Sequence, residues 1–291
     1  MSFDDQHWFI TGVSSGIGRA TAEAALAAGH RVVGTVRRNE QLADFENLSP
    51  GRATAVRMDV TKPATVVAGV AAAARALNGR VDVLVNNAGR GLVGAIEETN
   101  DAEAHDVFEA NFFGQLRVTR AVLPFMRQRR RGHILSASAV AGFTGFAGLG
   151  VYSAAKAAVD AYCEALALEV APFGINVTVL TLGIFRTRFV LNCSKTRSRR
   201  RPYAHTPAGK FREFIGRLDG RQPNDPVKAA QAIVRIASSR NPPLHLALGR
   251  DAVAVMRRKI EGVQRDLADW EALSTSPAFA SSPQTTSAYG E

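Results

Sequence analysis

Cysteine is scarce: the chain of 291 residues has only Cys163 and Cys193. Two thiols cannot staple a small secreted scaffold, and free thiols fit a reducing compartment. The N-terminus has no basic stretch leading into an apolar run, so no secretory signal is visible. Every apolar run is interrupted by Gly, Asn or charge well before the length a membrane span needs. These absences point to the cytoplasm. A hydrophobic content of 46% with 21% charged residues excludes a disordered or collagen-like chain and allows a sizeable core. The length fits one large domain or two modest ones.

Acidic residues are missing from one stretch in particular. Residues 184–212 carry Arg186, Arg188, Lys195, Arg197, Arg199, Arg200, Arg201, Lys210 and Arg212, with no Asp or Glu. These nine cations account for nearly all of the net charge of +10, so the remainder is close to neutral. No aromatic interleaving or binding motif accompanies the patch, and nucleic acid is not expected as a partner.

What is present is alternation. Apolar runs at 7–10, 31–36, 53–56, 81–85, 133–138 and 175–180 read as strands, separated by helical patterns to about Ala28 and over 63–77, 101–128 and 152–171. Strands that are apolar throughout are covered on both faces, which predicts a parallel sheet in a doubly wound α/β domain. After Leu182 the pattern changes. Residues 184–224 look irregular and basic and read as a mobile substrate lid; a helix fills 226–238, a last strand 244–248, and a polar amphipathic helix 251–273. The Ser/Thr/Pro-rich residues 274–291 read as a disordered tail, leaving 1–273 as a single domain.

The first motif is Thr11-Gly12-Val13-Ser14-Ser15-Gly16-Ile17-Gly18, between a strand and a helix. Glycines there allow a tight turn and let the helix N-terminus approach a pyrophosphate. Downstream stand Asp59-Val60, Asn86-Asn87-Ala88-Gly89, Asn111, and Tyr152-Ser153-Ala154-Ala155-Lys156. Tyr and Lys at i and i+4 share one helical face. A phenol is a poor acid or base at neutral pH, and a neighbouring ammonium brings its pKa toward the working range.

Together and in this order, these motifs resemble the short-chain dehydrogenase/reductase family, in its ketoreductase and hydroxysteroid-dehydrogenase-like branch. The resemblance covers residues 7–190 and implies a Rossmann-like domain that transfers a hydride between a nicotinamide cofactor and a secondary alcohol or ketone. It implies Tyr152 as proton carrier, Lys156 as its partner and holder of the nicotinamide ribose, and Asn111 as anchor of a water. It assigns cofactor contacts to Gly12, Ser14, Ser15, Gly16, Ile17, Gly18, Asp59, Val60, Asn86, Ala88, Gly89, Gly183 and Thr187. A homodimer or homotetramer associating through helices 101–128 and 152–171 is also implied, with Ala157, Val159, Leu166 and Leu168 as candidate contacts. No metal is assigned.

Cofactor choice is read at the end of the second strand. An NAD enzyme places an acid there, whereas this chain has Val36-Arg37-Arg38. Arg37 can fork onto a 2′-phosphate and Arg38 can add charge, so NADP(H) is expected.

One hydroxyl is missing. The family carries a Ser thirteen residues before its Tyr, and here that position is Ala139. Ser138 is adjacent but should face the other side of the strand. Three explanations remain open: an engineered Ser→Ala change, a register shift that recruits Ser138, or a natural variant with altered chemistry. A cofactor-binding module, a lyase or an isomerase on the same scaffold are the alternative functions. Leu182-Gly183 replaces the family's Pro-Gly, and Arg90 sets a cation near the cleft or in a solvated loop. The basic lid is expected either to be solvated or to engage an anionic or carrier-bound small-molecule substrate, chiefly through Lys195, Arg197, Arg199, Arg200 and Arg201.

Overall fold

A computed structural model describes residues 5–277. The main sheet has seven parallel strands in the order β3-β2-β1-β4-β6-β7-β9. They are β1 (His7–Ile10), β2 (Arg31–Val36), β3 (Ala53–Arg57), β4 (Val83–Asn86), β6 (Gly132–Ala137), β7 (Ile175–Leu182) and β9 (His245–Leu248). Strand order reverses between β1 and β4, and at such a switch point a crevice opens beyond the carboxyl ends of the strands. The Gly-rich turn after β1 and the Asn86–Gly89 turn after β4 both end there.

Helices cover both faces. On one side α3 (Pro63–Ala76), α5 (Gly114–Arg129) and α7 (Gly150–Val170) bury Phe9, Leu84, Val118, Ile134 and Val159 in one cluster. On the other, α1 (Gly16–Ala27) and α10 (Pro226–Ala237) pack together over Trp8, Ile10, Leu26, Leu180 and Ile233. Each strand of the sheet centre therefore feeds apolar side chains to two cores, which is why its sequence is apolar without alternation.

Three expectations need correction. The helix expected over 101–128 is α4 (Asp101–Phe108) and α5, joined by a π-helical turn at Glu109–Phe113, because Asn111 diverts the hydrogen-bond ladder. A short helix α2 (Glu40–Glu46) follows β2, where no element was expected. The segment 184–224, expected to be irregular, holds α8 (Phe189–Asn192), β8 (Ser194–Lys195), a 3₁₀ turn (Arg201–His205) and α9 (Pro207–Arg217). β8 pairs in parallel with β5 (Leu92–Val93), fastening the lid to the loop after β4. A short helix α6 (Val140–Phe143) precedes α7. The last helix, α11 (Arg250–Thr275), runs past the expected start of the tail; residues 278–291 lie outside the described residues.

Candidate active site

The Gly-rich turn is held from below by Asn87. Its side-chain amide donates to the carbonyls of Thr11 (2.9 Å) and Gly12 (3.1 Å). The Thr11 hydroxyl accepts from the N–H groups of Asn87 and Ala88. A Cβ at Gly18 would collide with Asn87 and with the Gly12 carbonyl, so these two turns meet only because residue 18 has no side chain. Gly12 and Gly16 have φ of +75° and +63°, the left-handed region that glycine enters freely.

The α1 N-terminus is ready for an anion. Ser15 occupies the N-cap without a side-chain capping bond, and the first turn holds no acid. Its orphan N–H groups and the helix dipole remain available to phosphate. Thr187 arches over this turn, with its Cβ 3.5 Å from where a Cβ on Gly16 would sit. Ser14 and Ser15 are exposed at the same mouth, and Ile17 packs into the core beneath it. These features fit the pyrophosphate of a dinucleotide.

Other positions differ in how they face the crevice. One Asp59 carboxylate oxygen accepts from the Thr61 N–H and hydroxyl. Val60 packs under Gly114. The Asn86 side chain is fully buried and donates to the Thr119 hydroxyl at 2.8 Å, which leaves its backbone as the part able to meet a cofactor. Gly183 makes room for the Asp251 carboxylate, which a Cβ there would strike. Arg37 and Arg38 are exposed beyond β2, and among the described residues neither has an ion pair. Arg57, paired in register with Val36, adds a third guanidinium at this edge and donates to Asn39.

Tyr152, Lys156 and Asn111 converge at the centre. Lys156 Nζ lies 5.9 Å from the Tyr152 ring centroid and donates to the Ala137 carbonyl at 2.8 Å. A Cβ on Gly89 would sit 2.6 Å from Asn111 Oδ1 and 3.7 Å from Lys156 Nζ, so Gly89 opens the space that both polar groups border. In the π turn, the Asn111 amide donates to the Val107 carbonyl, the acceptor its own backbone N–H would take in a regular helix. It also donates to the Arg90 carbonyl, and the Arg90 N–H returns a bond to Asn111 Oδ1.

Burial dominates the electrostatics. It pushes the Tyr152 phenol well above its ordinary value and the Lys156 ammonium down to about 8, the latter opposed by Asp160. The lowered phenol pKa expected from the Tyr–Lys pair is therefore not found. The ammonium is engaged with the Ala137 carbonyl, and burial, which disfavours a phenolate, is the main cause of the shift.

Asp160, one turn beyond Lys156 on α7, is a functional candidate that motif reading passed over. Burial raises its carboxyl to about 6, against the favourable influence of Ser138, His245 and Lys156. The Ser138 hydroxyl lies beside it but donates to the Lys156 carbonyl at 3.4 Å, so both carboxylate oxygens lack a hydrogen-bond partner. Ser138 is thus packed between α6 and α7, beside Gly142, Lys156 and Asp160. Ala139 instead belongs to the apolar cluster of Tyr152, Leu92 and Val107.

The lid closes this centre. Phe189 approaches Tyr152 with ring centroids 6.0 Å apart. Cys193 lies against Gly91, its thiol pushed up to about 11 by burial. Arg90 is a lid anchor, bonded to the Ser194 hydroxyl at 2.9 Å and 3.5 Å from Asp106. Three acids meet the lid. Glu97 pairs with the Arg200 guanidinium at 3.1 Å and Glu98 with that of Arg212 at 3.4 Å, while Glu103 accepts from the backbone N–H of Arg197. Burial would raise the Glu98 carboxyl, but the N–H groups of Arg200 and Ala95 and the Arg212 guanidinium hold it below its ordinary value. At the roots of the lid, Asp251 accepts from the Ile184 N–H and from the Asn224 amide, both at 2.7 Å.

Among the described residues, no group of His, Cys, Asp and Glu is placed to hold a metal ion, and no helix is long and apolar enough to cross a membrane.

Known proteins share this arrangement. The model of the short chain dehydrogenase family matches residues 6–198. Oxidoreductase BOA17 of Botryotinia fuckeliana is 37% identical over 93% of this chain and 98% of its own length. A 3-ketodihydrosphingosine reductase of Bacteroides thetaiotaomicron is 38% identical over 82% of this chain and 86% of that protein. Among solved structures, a short-chain dehydrogenase from Streptomyces avermitilis superposes with a TM-score of 0.86 and 44% identity, covering 95% of this chain and 100% of that one. An actinorhodin polyketide ketoreductase variant with NADPH gives 0.71 and 29% identity over 84% and 96%. These relatives disfavour a binding module, a lyase or an isomerase. With its Tyr–Lys pair, its Gly-rich turn and this extent of likeness, the chain belongs to the short-chain dehydrogenase family and is an oxidoreductase that acts on a carbonyl/alcohol pair.

Proposed function

We propose that the protein is an NADP(H)-dependent ketoreductase that takes a largely apolar ketone. The observation that carries this reading is the convergence of Tyr152, Lys156 and Asn111 beside a glycine-opened crevice. The cofactor, when bound, supplies the hydride. Tyr152 holds the proton that passes to the substrate oxygen. A phenol kept neutral by burial is the form that donates a proton to the substrate oxygen in the reductive direction. Lys156, mostly charged below pH 8, supports the phenolate left behind. Phe189 and the half-buried Cys193 exclude water from the reacting face. The Gly-rich turn from Gly12 to Gly18, together with Thr187, would bind the pyrophosphate side, and Arg37 and Arg38 the 2′-phosphate.

The names of relatives support a keto substrate. Besides the 3-ketodihydrosphingosine reductase, a 3-oxoacyl-[acyl-carrier-protein] reductase of Salmonella typhimurium is 35% identical over 72% of this chain. Lys195, Arg199 and Arg201 make no ion pair among the described residues and would meet an anionic group on the substrate or its carrier. A cytoplasmic location and a homodimer or homotetramer complete the proposal. Phe113 beside α5 and Leu168 on α7 are exposed and suit such contacts, whereas Val159 and Leu166 are core residues.

The test is NADPH oxidation across ketones of graded chain length, free and carrier-bound, with NADH as control. Turnover that rises with apolar length and prefers NADPH supports the proposal. Tight NADPH binding with no oxidation of any ketone would overturn it.

A further inference from the structure

Among the described residues, nothing covers the distal part of the longest helix. From Arg257 to Thr275 every residue of α11 except Gly262 is exposed, and the helix touches the body near its start, at α6 and β9. At 1.5 Å per residue the uncovered part projects roughly 28 Å. Its surface is not uniformly polar. Val253, Met256, Ile260, Val263, Leu267 and Trp270 follow one another in alternating steps of three and four, the seam of a two-stranded coiled coil. Leu267 and Trp270 are each 61% exposed. Most helical stability in proteins comes from packing an apolar face, so this seam calls for an occupant.

The charges beside the seam select that occupant. Flanking positions are Ala252, Lys259, Asp266 and Leu273 on one side, and Arg250, Arg257, Gln264 and Glu271 on the other. Two copies in parallel and in register would set Asp266 against Glu271 of the other copy. An antiparallel pairing slid one heptad toward the C-terminus would oppose Asp266 to itself. Slid the other way, it would oppose Lys259 and Arg257 each to itself. The antiparallel register between these has no such clash. It sets Lys259 against Asp266, Arg250 against Glu271 and Arg257 against Gln264, while Ala252, already buried in its own protomer, takes no part. Its core layers are Val253 with Trp270, Met256 with Leu267, and Ile260 with Val263, each formed twice about a two-fold axis. The sequence is complementary to itself in one register and one direction.

We infer that α11 is an assembly element that docks onto α11 of a second copy of this chain as an antiparallel two-stranded coiled coil. The contact is separate from the α5 and α7 faces and joins protomers, or dimers formed elsewhere.

Sedimentation equilibrium of the full chain tests this. The double variant Ile260→Asp with Leu267→Asp is expected to halve the assembly mass while NADPH binding and the thermal transition of the body persist. Lys259→Glu alone is expected to weaken association on the order of tenfold, and adding Asp266→Lys to restore it. Three results would overturn the inference: an unaltered mass in the double aspartate variant, a native chain that is monomeric at micromolar concentration, or co-sedimentation with phosphatidylserine vesicles without self-association. Failure of the charge exchange to restore association would overturn the antiparallel register.

Discussion

Lys156 and Asp160 stand one helical turn apart on the buried face of α7, and the carboxylate has no hydrogen-bond donor of its own. Lys156 donates instead to the Ala137 carbonyl, so the two groups act on each other as neighbouring charges and not as a bonded pair. Asp160 is ionised above about pH 6 and Lys156 is charged below about pH 8, which leaves a window of two opposite charges between those values. Asp160→Asn should remove the anion that favours the ammonium. The alkaline fall in kcat/KM for reduction should then move to lower pH by about one unit. An alkaline limb that stays in place would show that Asp160 has no influence on Lys156; Asp160→Glu should restore the native profile.

Tyr152→Phe keeps the ring that packs on Phe189 and removes the proton carrier. Turnover should fall by about 10²–10⁴-fold with NADPH affinity unchanged. Stopped-flow hydride transfer and fluorescence titration separate the two. More than a few per cent residual activity would remove Tyr152 from the role.

Ala139→Ser should place a hydroxyl in the cluster that holds Tyr152. A donor at this point is worth about a hundredfold in kcat on ketones. Ser138→Ala should leave kcat within a few-fold, since that hydroxyl faces the Lys156 carbonyl. The opposite pattern in the two variants would show that Ser138 is the substrate's donor.

Arg37→Asp replaces an exposed guanidinium at the end of β2 with an acid. The ratio of kcat/KM for NADPH over NADH should drop about 10- to 100-fold, the value of one charge-assisted hydrogen bond. A ratio unaffected by this change and by Arg38→Ala would leave Arg57 as the residue to test.

Glu98→Gln keeps the shape but removes the buried charge that meets Arg212 and two N–H groups. The lid should loosen. KM should rise severalfold, and trypsin should cleave within 195–217 sooner, with the Gly-rich turn unaffected. Unchanged proteolysis would mean that β5–β8 pairing holds the lid without Glu98.

The sheet and the motif residues were legible because their chemistry is local. A strand buried on both faces shows as an unbroken apolar run, and Gly12, Gly16 and the Tyr152–Lys156 spacing carry their geometry in short stretches of chain. What was not legible depends on partners distant in sequence. Asn86 looks like its neighbour Asn87, and only the presence of Thr119 behind it turns it into the core. The cations of 184–212 suggested repulsion or an external anion, because Glu97, Glu98 and Glu103 lie some hundred residues away along the chain. The break at Asn111 is invisible to periodicity, since a π turn adds one residue without disturbing the apolar pattern on either side.

The Asp251 clamp makes the lid an interchangeable part. Both roots, at Ile184 and Asn224, end on the two oxygens of one carboxylate, and the Arg186 N–H closes the neck on the Asn224 carbonyl. A segment whose ends are pinned together at a single point transmits little of its internal length or shape to the sheet beneath it, and loop-closure cost grows only slowly with length. Sequences of different length and polarity grafted between those two residues should therefore fold over the same crevice and change which ketone enters it, with the proton-transfer machinery of Tyr152 and Lys156 retained as a common chassis.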